Sequence, residues 1–313
     1  MRIRHILTGL LSWSAAFFLL SGQESYNSKA FTSGLNGRPS QVVSTVTFAT
    51  GLPEGNDENL ENYIVDDRYN PEGIRTGEKM YSKDGELIGS SVFHFLPDGN
   101  IDQIEYLDQY NNLISRIVYT YNDLGNWKRA VVYRGGFEVK EEINYLYAPD
   151  GKLAGIQKQD ALGIPSEYEK LEYNADGKVS VKTFYGPRKK LKNTYRFSYD
   201  ASGNLTGYTK RNENGQITET YSATYTPNNI LLNARQKEIS NGYVSETAWS
   251  YDRYGNPVEK SVYNPRENSA PQSYRYLYRY DTHRNWIEKN IYVNGIFYES
   301  IVKVIRYYPD QNR

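Results

Sequence analysis

The chain has no cysteine among its 313 residues. Disulfides, thiolate metal sites and cysteine nucleophiles are therefore excluded. Histidine is nearly as scarce. His5, His94 and His283 stand alone, without the third ligand and the spacing that a zinc site needs. Net charge is missing too: Lys+Arg and Asp+Glu each count 37, which leaves no global field to attract nucleic acid or an anionic membrane. No serine sits in a nucleophile elbow, and no glycine-rich loop precedes a helix. Carboxylates are plentiful, but nothing in the sequence pairs two of them at glycosidase distance. No cofactor or metal is expected. Ile6 to Leu20 is the one apolar run, too short and too interrupted to read as a membrane span.

That run belongs to an export signal over residues 1–22. Arg2, Arg4 and His5 supply the basic start, and Ser21 and Gly22 are small residues suited to cleavage. Leu20-Ser21-Gly22 resembles the lead-in to a bacterial lipoprotein cleavage site, but Gln23 stands where the lipid-bearing cysteine belongs. The expectation is an exported protein without a lipid anchor or a transmembrane segment after cleavage, in the periplasm or at the cell surface. Residues 23–40, rich in Ser, Asn and Gly, read as a flexible linker. Residues 41–313 read as one repeat domain: an N-terminal cap (41–68), repeats (69–300) and a C-terminal strand (301–313).

What the chain has in excess is tyrosine, 31 residues, arranged in register. YDASGNL around Gly203 has counterparts 26 residues apart at Gly177, Gly151, Gly125, Gly99 and Gly73, and onward at Asn229 and Gly255. Four residues before each turn position stands an aromatic: Tyr69, Phe95, Tyr121, Tyr147, Tyr173, Tyr199, Tyr225 and Tyr251. A fixed period of this length marks a repeat architecture. Each unit holds a second turn, as at Gly85, Asn111, Gly163 and Gly215, so strands of about eight to ten residues alternate with tight loops. Pro97 and Pro149 preset the first turn corner, and Gly99 and Gly151 accept positive φ. After Tyr263 the register slips by three residues, and Arg284 takes the glycine position in YDTHRNW.

Period-two alternation assigns the faces. Tyr195, Phe197 and Tyr199 point one way and Arg196, Ser198 and Asp200 the other; Tyr274, Tyr276, Tyr278 and Tyr280 oppose Arg275, Leu277 and Arg279. The fold class expected is all-β: an antiparallel meander of repeated hairpins, curling or spiralling as twist accumulates, with its aromatic face inward. An outer-membrane barrel competes on strand length and alternation. Charges at mid-strand in VKEEINY and KKLKNTYRF count against it.

The YDxxGN pattern, as YDASGN, YDRYGN and the degenerate YDTHRN, resembles the YD or RHS repeats of bacterial surface and toxin-delivery proteins over about residues 69–300. That resemblance implies a spiralling β-sheet. The chain ends soon after the last repeat, with no counterpart of the self-cleaving core motif or toxin domain, so it is most similar to short exported members from Bacteroidetes-type bacteria. The Tyr–Gly rhythm is also similar to MORN-type repeats.

Stacked aromatics can bind sugar rings. The candidate binding residues are Tyr121, Tyr147, Tyr173, Tyr199, Tyr225, Tyr251, Tyr276, Tyr278, Trp127 and Trp286, although placement in every repeat favours a plain role as core. The Asp-x-x-Gly-Asn turns could ligate calcium, but capping of the turn by Asp200 or Asp252 accounts for them. Arg188, Lys189, Lys190 and Lys192 form the one basic loop, suited to a solvated hairpin tip or to a phosphate-bearing ligand. The functional expectation is a non-catalytic envelope protein binding a glycan or protein partner. The alternative is an exported enzyme acting on a polysaccharide, with two carboxylates converging inside the sheet.

Overall fold

The computed structural model describes residues 34–49, 61–266 and 270–309; the expected signal segment lies outside them. Among the described residues every regular element is a strand apart from one 3₁₀ turn at Pro187–Lys189. The first third of the chain forms β1 (Pro39–Phe48), β2 (Tyr63–Tyr69), β3 (Arg75–Ser82), β4 (Leu87–Phe95) and β5 (Ile101–Asp108). Then come β6 (Leu113–Tyr121), β7 (Trp127–Arg134), β8 (Glu138–Tyr147), β9 (Leu153–Asp160) and β10 (Pro165–Tyr173). The second half holds β11 (Val179–Tyr185), β12 (Leu191–Tyr199), β13 (Leu205–Asn212), β14 (Ile217–Tyr225) and β15 (Leu231–Ser240). It ends with β16 (Tyr243–Tyr251), β17 (Pro257–Tyr263), β18 (Gln272–Tyr280), β19 (Trp286–Val293) and β20 (Ile296–Tyr307).

Each strand pairs antiparallel with its neighbours in sequence, and β1 pairs with β20 as well as β2. The β1–β20 seam runs from Pro39 against Tyr307 to Phe48 against Glu299. The sheet is therefore a closed barrel of twenty strands. This corrects the expected curling or spiralling meander. The alternation and turns are local and as read, but the two ends of the sheet meet and leave no edge. Residues 41–68, read as a cap, supply β1 and β2 as ordinary staves of the wall.

The 26-residue period is one hairpin, two strands. At one rim of the barrel, nine turns hold a residue of positive φ at the repeat's glycine position, Asn229 (φ 61) and Arg284 (φ 67) replacing glycine in two. In the Gly203 turn, the Gly203 N–H donates to the Asp200 carbonyl at 2.9 Å and the Asp200 N–H to the Asn204 carbonyl at 3.0 Å. The pairing slips by one residue there, Tyr199 opposing Leu205, which is a bulge next to a type I turn. The Asp200 carboxylate accepts the Asn204 N–H at 2.8 Å, and Asn122 and Asp252 accept the equivalent N–H at 3.0 and 2.9 Å.

Burial separates the two faces. Val42, Met80, Ile104, Tyr119, Ala130 and Ala234 are buried and share the tyrosine face, traced strand to strand by cross-strand pairing. Side chains converge on the concave side of a closed sheet, so this face is the inside. The other face carries Arg275, Leu277 and Arg279 exposed, and looks outward. Twenty strands in a circular section give a backbone radius of roughly 20 Å, wider than one layer of side chains fills. Accordingly the inner rings line the wall: Tyr119 stacks on Trp127 at 5.2 Å and Tyr208 on Tyr221 at 5.2 Å, each pair on adjacent strands.

Candidate functional site

The tyrosine that ends each repeat strand projects inward at the uniform rim, and its hydroxyl has a fixed destination. Tyr121 donates to the Ile101 carbonyl at 2.7 Å, Tyr147 to Trp127 at 2.7 Å, Tyr173 to Leu153 and Tyr199 to Val179 at 2.8 Å, and Tyr225 to Leu205 at 2.9 Å. Every acceptor lies twenty residues earlier, at the start of the preceding strand. A bulge there turns a carbonyl off the ladder, and the phenol satisfies it. Trp127, 6% exposed, packs between Tyr119 and Tyr145. Tyr251, Tyr276 and Tyr278 line the wall half-buried, and their hydroxyls make no hydrogen bond with a described residue. So the ten candidate binding residues share one face, with six of them built into the wall and these three less engaged.

Trp286, the tenth, sits beside charge. The Lys303 amine lies 3.3 Å from its ring centroid and Lys289 5.5 Å. Burial, and then the charge of Lys289, brings Lys303 down to about 8. Two strands beyond the seam, Asp67 on β2 faces Glu78 on β3 as a directly opposed pair, each perturbing the other's titration. Arg75 lies 3.3 Å from Asp67 and 3.0 Å from Glu78. Burial, and next the Asp67 charge, raises Glu78 to about 7. Desolvation likewise raises Tyr69 and Tyr106 in the same group to about 12. The interior at the seam thus holds two desolvated carboxyls, one guanidinium and two desolvated amines.

Sequence reading missed this cluster. Its signal was parity: Asp67 and Lys303 occupy inward positions among Tyr63, Val65 and Tyr69, and among Ile301, Ile305 and Tyr307. The basic loop, in contrast, is neutralised by neighbours, Lys190 pairing with Glu213 at 3.4 Å and Lys192 with Glu167 at 3.1 Å. His94 lies 2.9 Å from Glu105, and His283 stacks on Tyr307. Among the described residues no cluster of His, Asp and Glu could hold a metal ion.

The geometry defines a class: a closed, all-antiparallel twenty-stranded barrel with an aromatic bore and a charged outer wall. No helix among the described residues is long and apolar enough to cross a membrane. No family model matches the chain, and no curated protein matches it. Among solved structures it is similar to a porin-like protein from Bacteroides uniformis ATCC 8492, at 11% identity and TM-score 0.38, over 87% of this chain and 99% of that one. A porin-like protein from Bacteroides vulgatus ATCC 8482 aligns at 13% identity and TM-score 0.29, over 85% and 98%. TcdB2-TccC3 aligns at 11% and 0.34, over 74% of this chain and 18% of that one. The resemblance to YD/RHS repeats does not stand as a family assignment. The sheet closes where those repeats imply a spiral.

Proposed function

We propose that the chain is an exported, non-catalytic β-barrel of the cell envelope that stands in water and binds a glycan or protein partner through its outer surface. The observation that carries this reading is the division of labour between the faces. Inside, five ladder tyrosines bond back to the wall. Outside, mid-strand positions hold ion pairs such as Arg279–Glu288 at 2.9 Å and Lys237–Glu246 at 3.3 Å. A charge at mid-bilayer on a lipid-facing position costs about 2–4 kcal/mol, so such a wall is matched to water rather than lipid. The leader-like residues 1–22 support export. If a saccharide enters the bore, Tyr251, Tyr276 and Tyr278 are the ladder members placed to stack on it.

The enzymatic alternative asked for converging carboxylates, and Asp67 with Glu78 converge. Arg75 engages both, at 3.3 Å from Asp67 and 3.0 Å from Glu78, so the pair is read as part of a buried charge cluster in the wall rather than as two carboxyls flanking a sugar.

The test is purification of the chain from Gln23 onward, without detergent, followed by envelope pull-down and a glycan array. A monodisperse protein that captures a glycan or envelope protein supports the reading. Dependence on detergent with conductance across planar bilayers overturns it in favour of a pore. Hydrolysis abolished by Glu78→Gln overturns it in favour of an enzyme.

A further inference from the structure

The outer wall between β15 and β19 is indented by a groove of about 900 Å³, within the range of small-ligand sites. Short side chains create it: Ala248 on β16 opposes Ser261 on β17, which opposes Ser273 on β18. One register step away runs a polar row in which Ser250 faces Glu259, Glu259 faces Arg275, and Arg275 faces Tyr292.

Glu259 and Arg275 are direct cross-strand partners of opposite charge, yet form no ion pair. On the same outer wall, directly opposed Arg279 and Glu288 pair at 2.9 Å, and Lys237 and Glu246 at 3.3 Å. Glu259 takes only a 3.5 Å contact from the Ser250 hydroxyl. Arg275 makes no hydrogen bond or ion pair with any described residue. Where Asp66 and Glu105 miss the opposed cations Lys79 and Arg116, each carboxylate is engaged by another side chain, Arg68 or His94; inside the groove a guanidinium and a carboxylate stand apart with their hydrogen-bonding capacity largely unspent. Exposed Leu277 and the ring of Tyr292 add apolar surface to the lining.

We propose that this groove binds an acidic saccharide, its carboxylate held by Arg275 and its hydroxyls by Glu259. A guanidinium forks onto a carboxylate through two parallel hydrogen bonds, a carboxylate accepts from vicinal hydroxyls, and the C–H face of a pyranose suits Leu277 and Tyr292. The proposal rests on the outer-surface reading and names its site and ligand class.

Titration calorimetry of the mature chain with oligogalacturonates, and with neutral oligogalactosides as control, tests it. Uronate binding should exceed neutral binding and weaken about tenfold or more in Arg275→Gln. It should strengthen in Glu259→Gln, which removes a like charge and keeps an acceptor. Arg279→Gln, whose arginine is tied to Glu288, should bind as the parent does. Equal binding by the parent and Arg275→Gln, or no uronate binding by the parent, overturns the groove site. The broader reading survives that outcome unless the glycan array and the pull-down are blank as well.

Discussion

A tyrosine hydroxyl in this barrel is a backbone partner. Tyr199→Phe keeps the ring and removes the donor to the Val179 carbonyl, so it should cost about 1 kcal/mol in urea unfolding. Loss of several kcal/mol would mean that the ring had moved as well. The seam charges give a pH signature. Glu78 titrates near 7 in the fold against 4.5 as a free carboxyl, so between those values the native state holds a proton that the unfolded chain has lost. Stability therefore falls as pH rises through that window. Lys303 titrates near 8 against 10.5, so between those values the unfolded chain holds the extra proton and stability rises with pH. Asp67, Arg75, Tyr69 and Tyr106 face Glu78, and Lys289 and Asp67 face Lys303. Denaturation midpoints should pass through a minimum between about pH 7 and 8. Glu78→Gln should flatten the acidic limb and Lys303→Met the alkaline one; a monotonic profile in the parent would refute the assignment.

At the level of the hairpin, conformation was the legible part. Proline, aspartate and glycine declare a turn through their own dihedral preferences, and Asn229 and Arg284 could be placed as glycine substitutes from register alone. A Cβ added at Gly151 would meet Leu124 at 3.5 Å, an ordinary contact, so the cost of Gly151→Val comes from its φ of +82°. That cost should be about 1–3 kcal/mol in the denaturation midpoint. The converse change, Arg284→Gly, relieves a left-handed arginine at φ 67 and should stabilise by up to about 1 kcal/mol. What the hairpin sequence concealed was the destination of each phenol. The acceptor lies on the neighbouring strand, twenty residues back, and depends on a bulge that no pattern of residue types spells out.

For the molecule as a whole, the unreadable quantity was closure. Twist per strand and strand count say that a long meander must bend, but whether its ends meet depends on tilt and stagger summed over twenty strands. VVSTVTF was visible as a strand and Ile301 to Ile305 as another; that Val42 would lie against Ile305 was not. The candidate site suffered likewise, because Lys303 reaches Asp67 only across that seam. Ending the chain at Asn294 would remove β20 and bare the edges of β1 and β19. Such a protein should self-associate in sedimentation velocity, where the parent runs as a single species.

The seam also means that the barrel has no privileged starting point. Tyr308 donates its N–H to the Arg38 carbonyl at 2.8 Å, so the two ends of the wall are hydrogen-bonded neighbours. In topology the wall is a ring, cut once between β20 and β1. A short linker bridging 38 and 308 should allow the cut to move to another exposed turn, such as the one at Gly215, and give a circular permutant with the same barrel. The native order makes the joining of β1 to β20 the most distant pairing in sequence, and loop-closure entropy makes that step slow. A linked permutant turns this distant pairing into a local hairpin and hands the role of last contact to whichever strands the new cut separates.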